Sequence, residues 1–225
     1  MALIAPSLLA ADFARLREAL EAIKAAGASM VHVDVMDGHF GPEITVGQPV
    51  IASLRKATDL VLDVHLLVER PERYIAGFVE AGADRLCVHI EATPHLHRVL
   101  DLIRMRGARA GVALNPATPV ESLAEVWEDI DFVNVLTSDP GLSERGFIAG
   151  SAAKVRAAAQ AREARRLGLA VQAEGSITAA HLEELARAGA DILVVGSVIF
   201  HSEDPRAQLS GMMRQAAAVS LTSKV

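Results

Sequence analysis

The 225-residue chain has little of what marks disulfide-rich, membrane-spanning or unfolded proteins. Its single cysteine, Cys87, excludes an internal disulfide and a zinc site built from cysteines, and it fits a reducing cytoplasm. No apolar run reaches the roughly 18 residues of a membrane span, and the first residues lack the basic start of a secretory signal. Because 51% of the residues are hydrophobic, material for a core is ample. We therefore expect a folded, soluble, cytoplasmic protein.

The chain also lacks a surplus of positive charge. Lys and Arg number 22 against 28 Asp and Glu, which gives a formal net charge of −6. Proteins that bind nucleic acids usually present a broad cationic face to the phosphates. We expect neither a nucleic-acid partner nor a membrane partner, although backbone amides can still hold one small phosphate group.

One pattern recurs along the chain, in which a helix-like stretch ends at Ala-Gly-Ala and an apolar strand follows. It occurs at residues 26–28, 81–83 and 188–190, and the glycine is typical of a helix C-cap. Together with the other apolar runs it predicts eight strands, near residues 3–8, 30–36, 61–67, 85–90, 109–114, 131–136, 169–174 and 191–196. Proline or N-cap residues predict eight helix starts, near Asp12, Gln48, Pro71, Pro94, Pro119, Ser151, Thr178 and Asp204.

Eight alternating units in a chain of this length predict an α/β fold, a single (β/α)₈ TIM barrel. A doubly wound open sheet is the alternative, but no Gly-x-Gly-x-x-Gly follows the first strand. No linker rich in Pro, Gly or Ser divides the sequence. We therefore predict one domain over residues 1–225, with a frayed tail at about 220–225.

Polar side chains are expected inside this barrel because successive residues of a strand point to opposite faces. The valines of the second strand must face the helices, which turns the alternate residues inward. The inward polar set is Ser7, His32, Asp34, Asp63, His65, Gln172 and Glu174. A single inward His or Asp is more often a hydrogen-bonded core residue than a ligand, and we interpret His89 as such a neighbour. Two histidines and two carboxylates on three strand ends instead predict a site for Zn²⁺, Fe²⁺, Mn²⁺ or Co²⁺.

Two Gly-Ser pairs follow the seventh and eighth strands, at Gly175-Ser176 and Gly196-Ser197. Many barrels bind phosphate at this position, where backbone amides and hydroxyls approach the ligand. Each pair could equally be a tight turn. Pro140-Gly141, after the sixth strand, could close a third side of the site.

In their order, these residues resemble the ribulose-phosphate 3-epimerase family over nearly the whole chain. The segments that carry the resemblance are residues 4–7, 32–40, 63–66, 112–119 and 196–200. The resemblance implies a homo-oligomeric isomerase that binds a sugar phosphate and one divalent metal ion. It implies epimerisation at C3 of a ketose phosphate, with D-ribulose 5-phosphate and D-xylulose 5-phosphate as the default pair.

The resemblance also assigns roles to individual residues. His32, Asp34, His65 and Glu174 would bind the metal ion, which polarises the C2 carbonyl. Asp34 and Glu174 would also be the acid/base pair, because inversion needs a carboxylate on each face of the planar cis-enediolate. The substrate contacts would be Ser7, Met36, His65, Gly141, Leu142, Ser143, Glu144, Gly175, Ser176, Gly196 and Ser197.

The chain departs from the family pattern at several of these positions. The usual acid on strand seven is Asp followed by Gly-Gly, whereas this chain has Glu174-Gly175-Ser176. Further departures are Gly41 and Glu43, the two leucines that replace methionines at 67 and 136, and the altered loop 141–147. They indicate, as alternatives, a sister epimerase for another tetrulose, pentulose or hexulose phosphate such as allulose 6-phosphate, or a catalytically impaired sugar-phosphate-binding barrel. A Schiff-base aldolase is disfavoured because the four lysines lie outside the predicted strands.

Overall fold

A computed structural model of the protein describes residues 2–142 and 145–222, with side chains described to residue 219. Eight parallel strands form its sheet: β1 (Leu3–Pro6), β2 (Met30–Met36), β3 (Val61–Leu67), β4 (Arg85–His89), β5 (Arg109–Leu114), β6 (Phe132–Leu136), β7 (Ala170–Glu174) and β8 (Ile192–Val195). The strand order is β1-β8-β7-β6-β5-β4-β3-β2. A bridge between Ser7 and His32 joins β1 to β2, so the sheet closes on itself. The predicted TIM barrel is confirmed, and the open-sheet alternative is wrong.

Helices connect the strands in the order expected for this fold. They are α1 (Leu16–Ala26), α2 (Gln48–Ala57), α3 (Ile75–Glu80), α4 (Leu96–Met105), α5 (Ser151–Arg165), α6 (Leu182–Arg187), α7 (Ser197–Phe200) and α8 (Pro205–Thr222). The four-residue α7, directly after β8, was not predicted. The predicted tail overlaps the end of α8, and residues 223–225 lie outside the described residues.

Among the described residues, no α-helix lies between β5 and β6, so the helix predicted to start near Pro119 was wrong. Two short 3₁₀ turns, Val120–Leu123 and Trp127–Asp129, replace it. The buried residues Val120, Leu123 and Val126 recur every third position, which suits a helix with three residues per turn. Amides in this segment accordingly bond to carbonyls three residues back, as from Val126 to Leu123 at 3.0 Å.

The core lies mainly between the barrel and the helices. Val31, Val33 and Val35 of β2 belong to one large buried cluster that also contains helix residues such as Ile23 and Ile51. The inward faces of the strands carry two small apolar clusters and most of the buried polar side chains. The strand alternation therefore sends the apolar residues to the helices and leaves the polar residues inside the barrel.

Within residues 2–142 and 145–222, no helix has both the length and the apolar character needed to cross a bilayer. The single-domain assignment stays a prediction.

Candidate metal centre and active site

The register of three strands brings the predicted metal ligands together. His32 and Asp34 of β2 lie beside Asp63 and His65 of β3, and Glu174 ends β7. The four predicted ligands are buried, and one donor atom from each lies within 4.8 Å of the others. Alternation along the strands turns all four side chains inward, and the closed barrel brings Glu174 of β7 to the residues of β2 and β3.

Each imidazole faces both carboxylates. His32 Nε2 lies 3.1 Å from Asp34 Oδ1 and 3.2 Å from Glu174 Oε2. His65 Nδ1 lies 3.3 Å from Asp34 Oδ1 and 3.1 Å from Glu174 Oε1. Two nitrogens and two carboxylates thus share one small volume, where a divalent cation could contact all four side chains.

The donor set fits a divalent metal ion. A ligating imidazole must be neutral, so His32 and His65 in that form, with ionised Asp34 and Glu174, would carry two negative charges, which a divalent cation would balance. The distal nitrogen of His32, Nδ1, lies 2.7 Å from Asp63 Oδ2. A carboxylate on the far side of a ligating imidazole is typical of metal sites, since it fixes the tautomer and leaves the other nitrogen free to ligate.

Asp63 is held in turn by a buried polar chain below the centre. Arg85 Nε lies 2.9 Å from Asp63 Oδ1, and Arg85 also donates to Gln172 Oε1 at 2.8 Å. Gln172 donates to Asp63 Oδ2 at 3.1 Å, and the Arg85 guanidinium lies over the Phe132 ring at 3.9 Å. Burial would raise the pKa of Asp63, but the charge of Arg85 and the contact with His32 lower it below its ordinary value. Sequence reasoning missed Arg85, although β4 alternation places it on the inward face with Cys87.

The two candidate catalytic carboxylates have different supports. The Ser7 hydroxyl donates to Asp34 Oδ2 at 2.8 Å. The Asn134 side-chain amide, from the middle of β6, donates to Glu174 Oε2 at 2.5 Å. Asn134 was not predicted as a site residue. Its position between two outward valines, 133 and 135, was the available signal.

The charges of the cluster dominate its titration. Burial would raise the pKa of Asp34, but the charge and hydrogen bond of His32, with help from His65, hold it well below its ordinary value. Burial would also raise the pKa of Glu174, and His65 and His32 outweigh burial and the Asp34 charge to lower it. For His65, burial acts to lower the pKa, whereas Glu174 and Asp34 raise it to about 9. Both carboxylates are thus held ionised by imidazolium charge, and binding of a metal ion would displace the imidazole protons.

A cavity of about 480 Å³ opens directly above the two carboxylates. The predicted site residues that line it are Ser7, Asp34, Met36, Gly141, Glu174, Gly175, Ser176, Gly196 and Ser197. His65 is fully buried and Leu142 is half-buried, and neither lines the cavity. Ser143 and Glu144 lie outside the described residues. Asp139 and His201 line the cavity although they were not predicted there, because loop paths depend on the closed fold.

A larger cavity, about 670 Å³, lies between the loops after β2, β3 and β4. Its lining includes Arg70, Arg73 and Glu72, and none of the four candidate ligands. The candidate chemistry therefore belongs to the smaller cavity.

Comparison with known proteins decides the family. Residues 3–200 match the model of the Ribulose-phosphate 3 epimerase family. The ribulose-phosphate 3-epimerase of Bacillus subtilis is 42% identical over 208 residues, which cover 92% of this chain and 96% of the relative. That of Treponema pallidum is 47% identical over 197 residues, covering 88% and 90%. This chain belongs to the ribulose-phosphate 3-epimerase family. It is therefore an isomerase of the epimerase class, as the resemblance implied.

Solved structures outside the family share the barrel. KGPDC from Streptococcus mutans superimposes with a TM-score of 0.70 at 14% identity, covering 97% of this chain and 99% of that one. Thiamine phosphate pyrophosphorylase from Pyrococcus furiosus gives a TM-score of 0.65 at 16% identity, covering 97% and 96%. At such identities the likeness shows the fold alone.

Two glycines shape the surroundings of Met36: Gly41, which departs from the epimerase family pattern, and Gly141, one of the predicted substrate contacts. A Cβ on Gly41 would lie 2.8 Å from the Met36 sulfur, so a side chain there would displace Met36 from its buried position. Gly141 has φ +69°, and a Cβ on it would lie 2.6 Å from Pro42 Cδ. The two glycines let the loops after β2 and β6 close on Met36 at the cavity wall.

The Glu at position 174 is the departure that bears most on an epimerase. Its longer side chain still brings the carboxylate to both imidazoles and to Asn134. The next residue, Gly175, has φ +118°, and a Cβ there would lie 2.8 Å from the backbone nitrogen of Ser138. The tight turn after β7 thus requires glycine, and Glu174 keeps a donor position in the cluster.

Proposed function

We propose that this chain catalyses metal-dependent epimerisation at C3 of a ketose phosphate, with D-ribulose 5-phosphate and D-xylulose 5-phosphate as the default pair. The observation that carries the proposal is a pair of carboxylates, Asp34 and Glu174, that share two imidazoles at the floor of one cavity. The names of the curated relatives support this substrate pair.

The proposed chemistry begins with a C3 proton that is acidic because it lies beside the C2 ketone. A divalent metal ion held by His32, Asp34, His65 and Glu174 would supply Lewis-acid stabilisation of negative charge on the substrate oxygens. Asp34 and Glu174 reach the cavity from separate strands, which supports proton removal on one face and return on the other. Asp34 Oδ2, which accepts from Ser7, is the oxygen that we assign to proton transfer.

We assign the substrate phosphate to the loops after β7 and β8. Ser176 and Ser197 line the cavity there beside Gly175 and Gly196, which supports this assignment. No carboxylate of these two loops lines the cavity, whereas Glu43 and Asp139 line it from the loops after β2 and β6. Glu43 would repel an anionic group from the loop after β2, whereas Asp139 is paired with Arg145 at 3.4 Å, so the absence of carboxylates from the loops after β7 and β8 is what supports this orientation of the substrate.

A sister activity on another ketose phosphate, such as allulose 6-phosphate, is the second candidate. The observation that favours it is that Glu43, Leu67 and Leu136, which depart from the family pattern, all line the cavity. The impaired-barrel alternative gains less support, because the Glu174 carboxylate reaches both imidazoles. The metal identity, a homo-oligomeric state and a cytoplasmic location stay predictions.

The test is C3 deuterium exchange in D₂O over a panel of four- to six-carbon ketose phosphates, with metal analysis of the same protein. We expect about one divalent ion per chain and fastest exchange with D-ribulose 5-phosphate. Fastest exchange with a different sugar would favour the sister activity. Metal-free protein without exchange on any sugar would contradict the proposal and favour the binding-protein alternative.

A further inference from the structure

His89, which ends β4, is a buried histidine in contact with a candidate metal ligand. Its ring stacks on the His65 imidazole with centroids 4.9 Å apart and planes inclined by 22°. The Phe40 ring contacts the same His89 ring, with the two centroids 4.5 Å apart. His89 is fully buried and does not line the cavity, so it does not meet the substrate.

The two candidate ligand histidines differ on the side away from the centre. The distal nitrogen of His32 is fixed by Asp63 at 2.7 Å. The distal nitrogen of His65, Nε2, is buried and has no hydrogen-bond partner among the described residues. Since no described polar group bonds to this distal nitrogen, the stacked His89 ring restrains the plane of His65 in addition to the contacts of Nδ1 with Asp34 and Glu174.

His89 is itself held rigidly. Its Nδ1 lies 3.0 Å from Glu91 Oε2. The other oxygen of Glu91 accepts from the backbone amide of Asn115 at 2.9 Å and from the Thr118 hydroxyl. The carboxylate therefore ties the end of β4 to the turn that follows β5.

Lys154 of α5 fixes that turn from the outside. Its ammonium group donates to the backbone carbonyls of Asn115, Pro116 and Thr118 at 2.8, 2.6 and 2.7 Å. Three bonds from one cation to three carbonyls leave the turn little freedom. A continuous chain of contacts thus runs from α5 through Glu91 and His89 to His65.

We propose that His89 is a positioning residue, oriented by Glu91, that holds His65 Nδ1 toward Asp34 and Glu174. The role rests on the proposed metal centre and extends it. Asp63 orients His32 through a hydrogen bond. His89 would orient His65 in the same way through ring stacking. Residues that orient metal ligands typically change metal affinity by 10- to 100-fold when they are lost.

The test uses the full chain, stripped of metal and titrated with Co²⁺ alone. We compare wild type, His89→Ala, His89→Phe and Glu91→Gln, with His95→Ala as the control because His95 is exposed just before α4 and its side chain makes no capping hydrogen bond. We expect His89→Ala to weaken Co²⁺ binding by about tenfold or more and to change the cobalt absorption spectrum. His89→Phe, which keeps a flat ring but is slightly larger and lacks the nitrogen that contacts Glu91, should lose only about threefold, and His95→Ala should match wild type.

The outcomes separate this role from the proposed function. Equal Co²⁺ affinity and spectra for His89→Ala and wild type would overturn the role of His89, even if C3 exchange is observed. A His89→Phe variant that folds but binds as weakly as His89→Ala would overturn the role of the ring stack. Wild-type protein that binds no Co²⁺ would overturn the metal centre and this role together. A Glu91→Gln variant whose Co²⁺ affinity lies between those of wild type and His89→Ala, and whose cobalt spectrum is shifted, would support the orienting role of Glu91.

Discussion

The two carboxylates at the cavity floor carry the same charge but are placed by different means. Asp34 has a short side chain, and its support is the Ser7 hydroxyl, which itself borders the cavity. Glu174 has a longer side chain, and its support is the amide of Asn134, which is 0% exposed. Water can replace a lost donor only where it has access. We therefore expect the β7 side to depend more on its supporting residue than the β2 side.

The largest effect is expected for Asp34→Asn. An amide cannot accept the C3 proton, and one charge is lost from the metal centre. We expect C3 deuterium exchange to fall by about 10³-fold or more, with reduced metal content. The control is Asp59→Asn, since Asp59 is an exposed residue paired with Lys24. Exchange within tenfold of wild type would contradict an acid/base role for Asp34.

Glu174→Asp tests the second carboxylate with the residue that the family pattern has at this position. Shortening the side chain withdraws the carboxylate from the two imidazoles and from Asn134, which it now reaches. Misplacement of about 1 Å costs on the order of 10²-fold in rate, and we expect a loss of that size. Glu163→Asp, exposed on α5, is the matched control. Faster exchange of D-ribulose 5-phosphate would instead indicate that Glu174 impairs the site.

Asn134→Ala should have the next largest effect. It removes the amide that donates to Glu174, and the Asn134 side chain is 0% exposed, so solvent does not contact this donor in the intact protein. A hydrogen bond to a charged group contributes about 1.5–3 kcal/mol, so we expect exchange to fall by about 30-fold. The measurement is the exchange rate at saturating metal, with Gln160→Ala on the exposed face of α5 as the control. A variant as active as wild type would show that Glu174 needs no support.

Most of the fold could be predicted from the sequence because its signals are local. The bounds of β2, β3 and β5 match the prediction at both ends, and a glycine at the end of the preceding helix marks the approach to β2 and β5. The helix expected near Pro119 was wrong, since proline starts both α-helical and 3₁₀ turns. Only the spacing of Val120, Leu123 and Val126 distinguishes the two.

In the candidate site, too, the features set along a single strand could be predicted, whereas the contacts between strands could not. The alternation of side chains along each strand was sufficient to predict that His32 and His65 point inward. It could not identify which inward residues meet across the barrel, because that depends on how the sheet closes. Asn134 meets Glu174 from the neighbouring strand, and Arg85 meets Gln172 from across the barrel. These partners were therefore missed although their orientation was implied.

The smallest effect is expected for Ser7→Ala, the counterpart of Asn134→Ala on the β2 side. The variant removes the donor to Asp34 Oδ2, an oxygen of a residue that lines the cavity. Because water in the cavity can take the place of the hydroxyl, we expect a loss of about fivefold in C3 exchange. Ser53→Ala, an exposed serine on α2, is the control. A loss equal to that of Asn134→Ala would contradict the difference between the two sides, since it would mean that solvent does not support Asp34 and that both carboxylates depend equally on one protein donor.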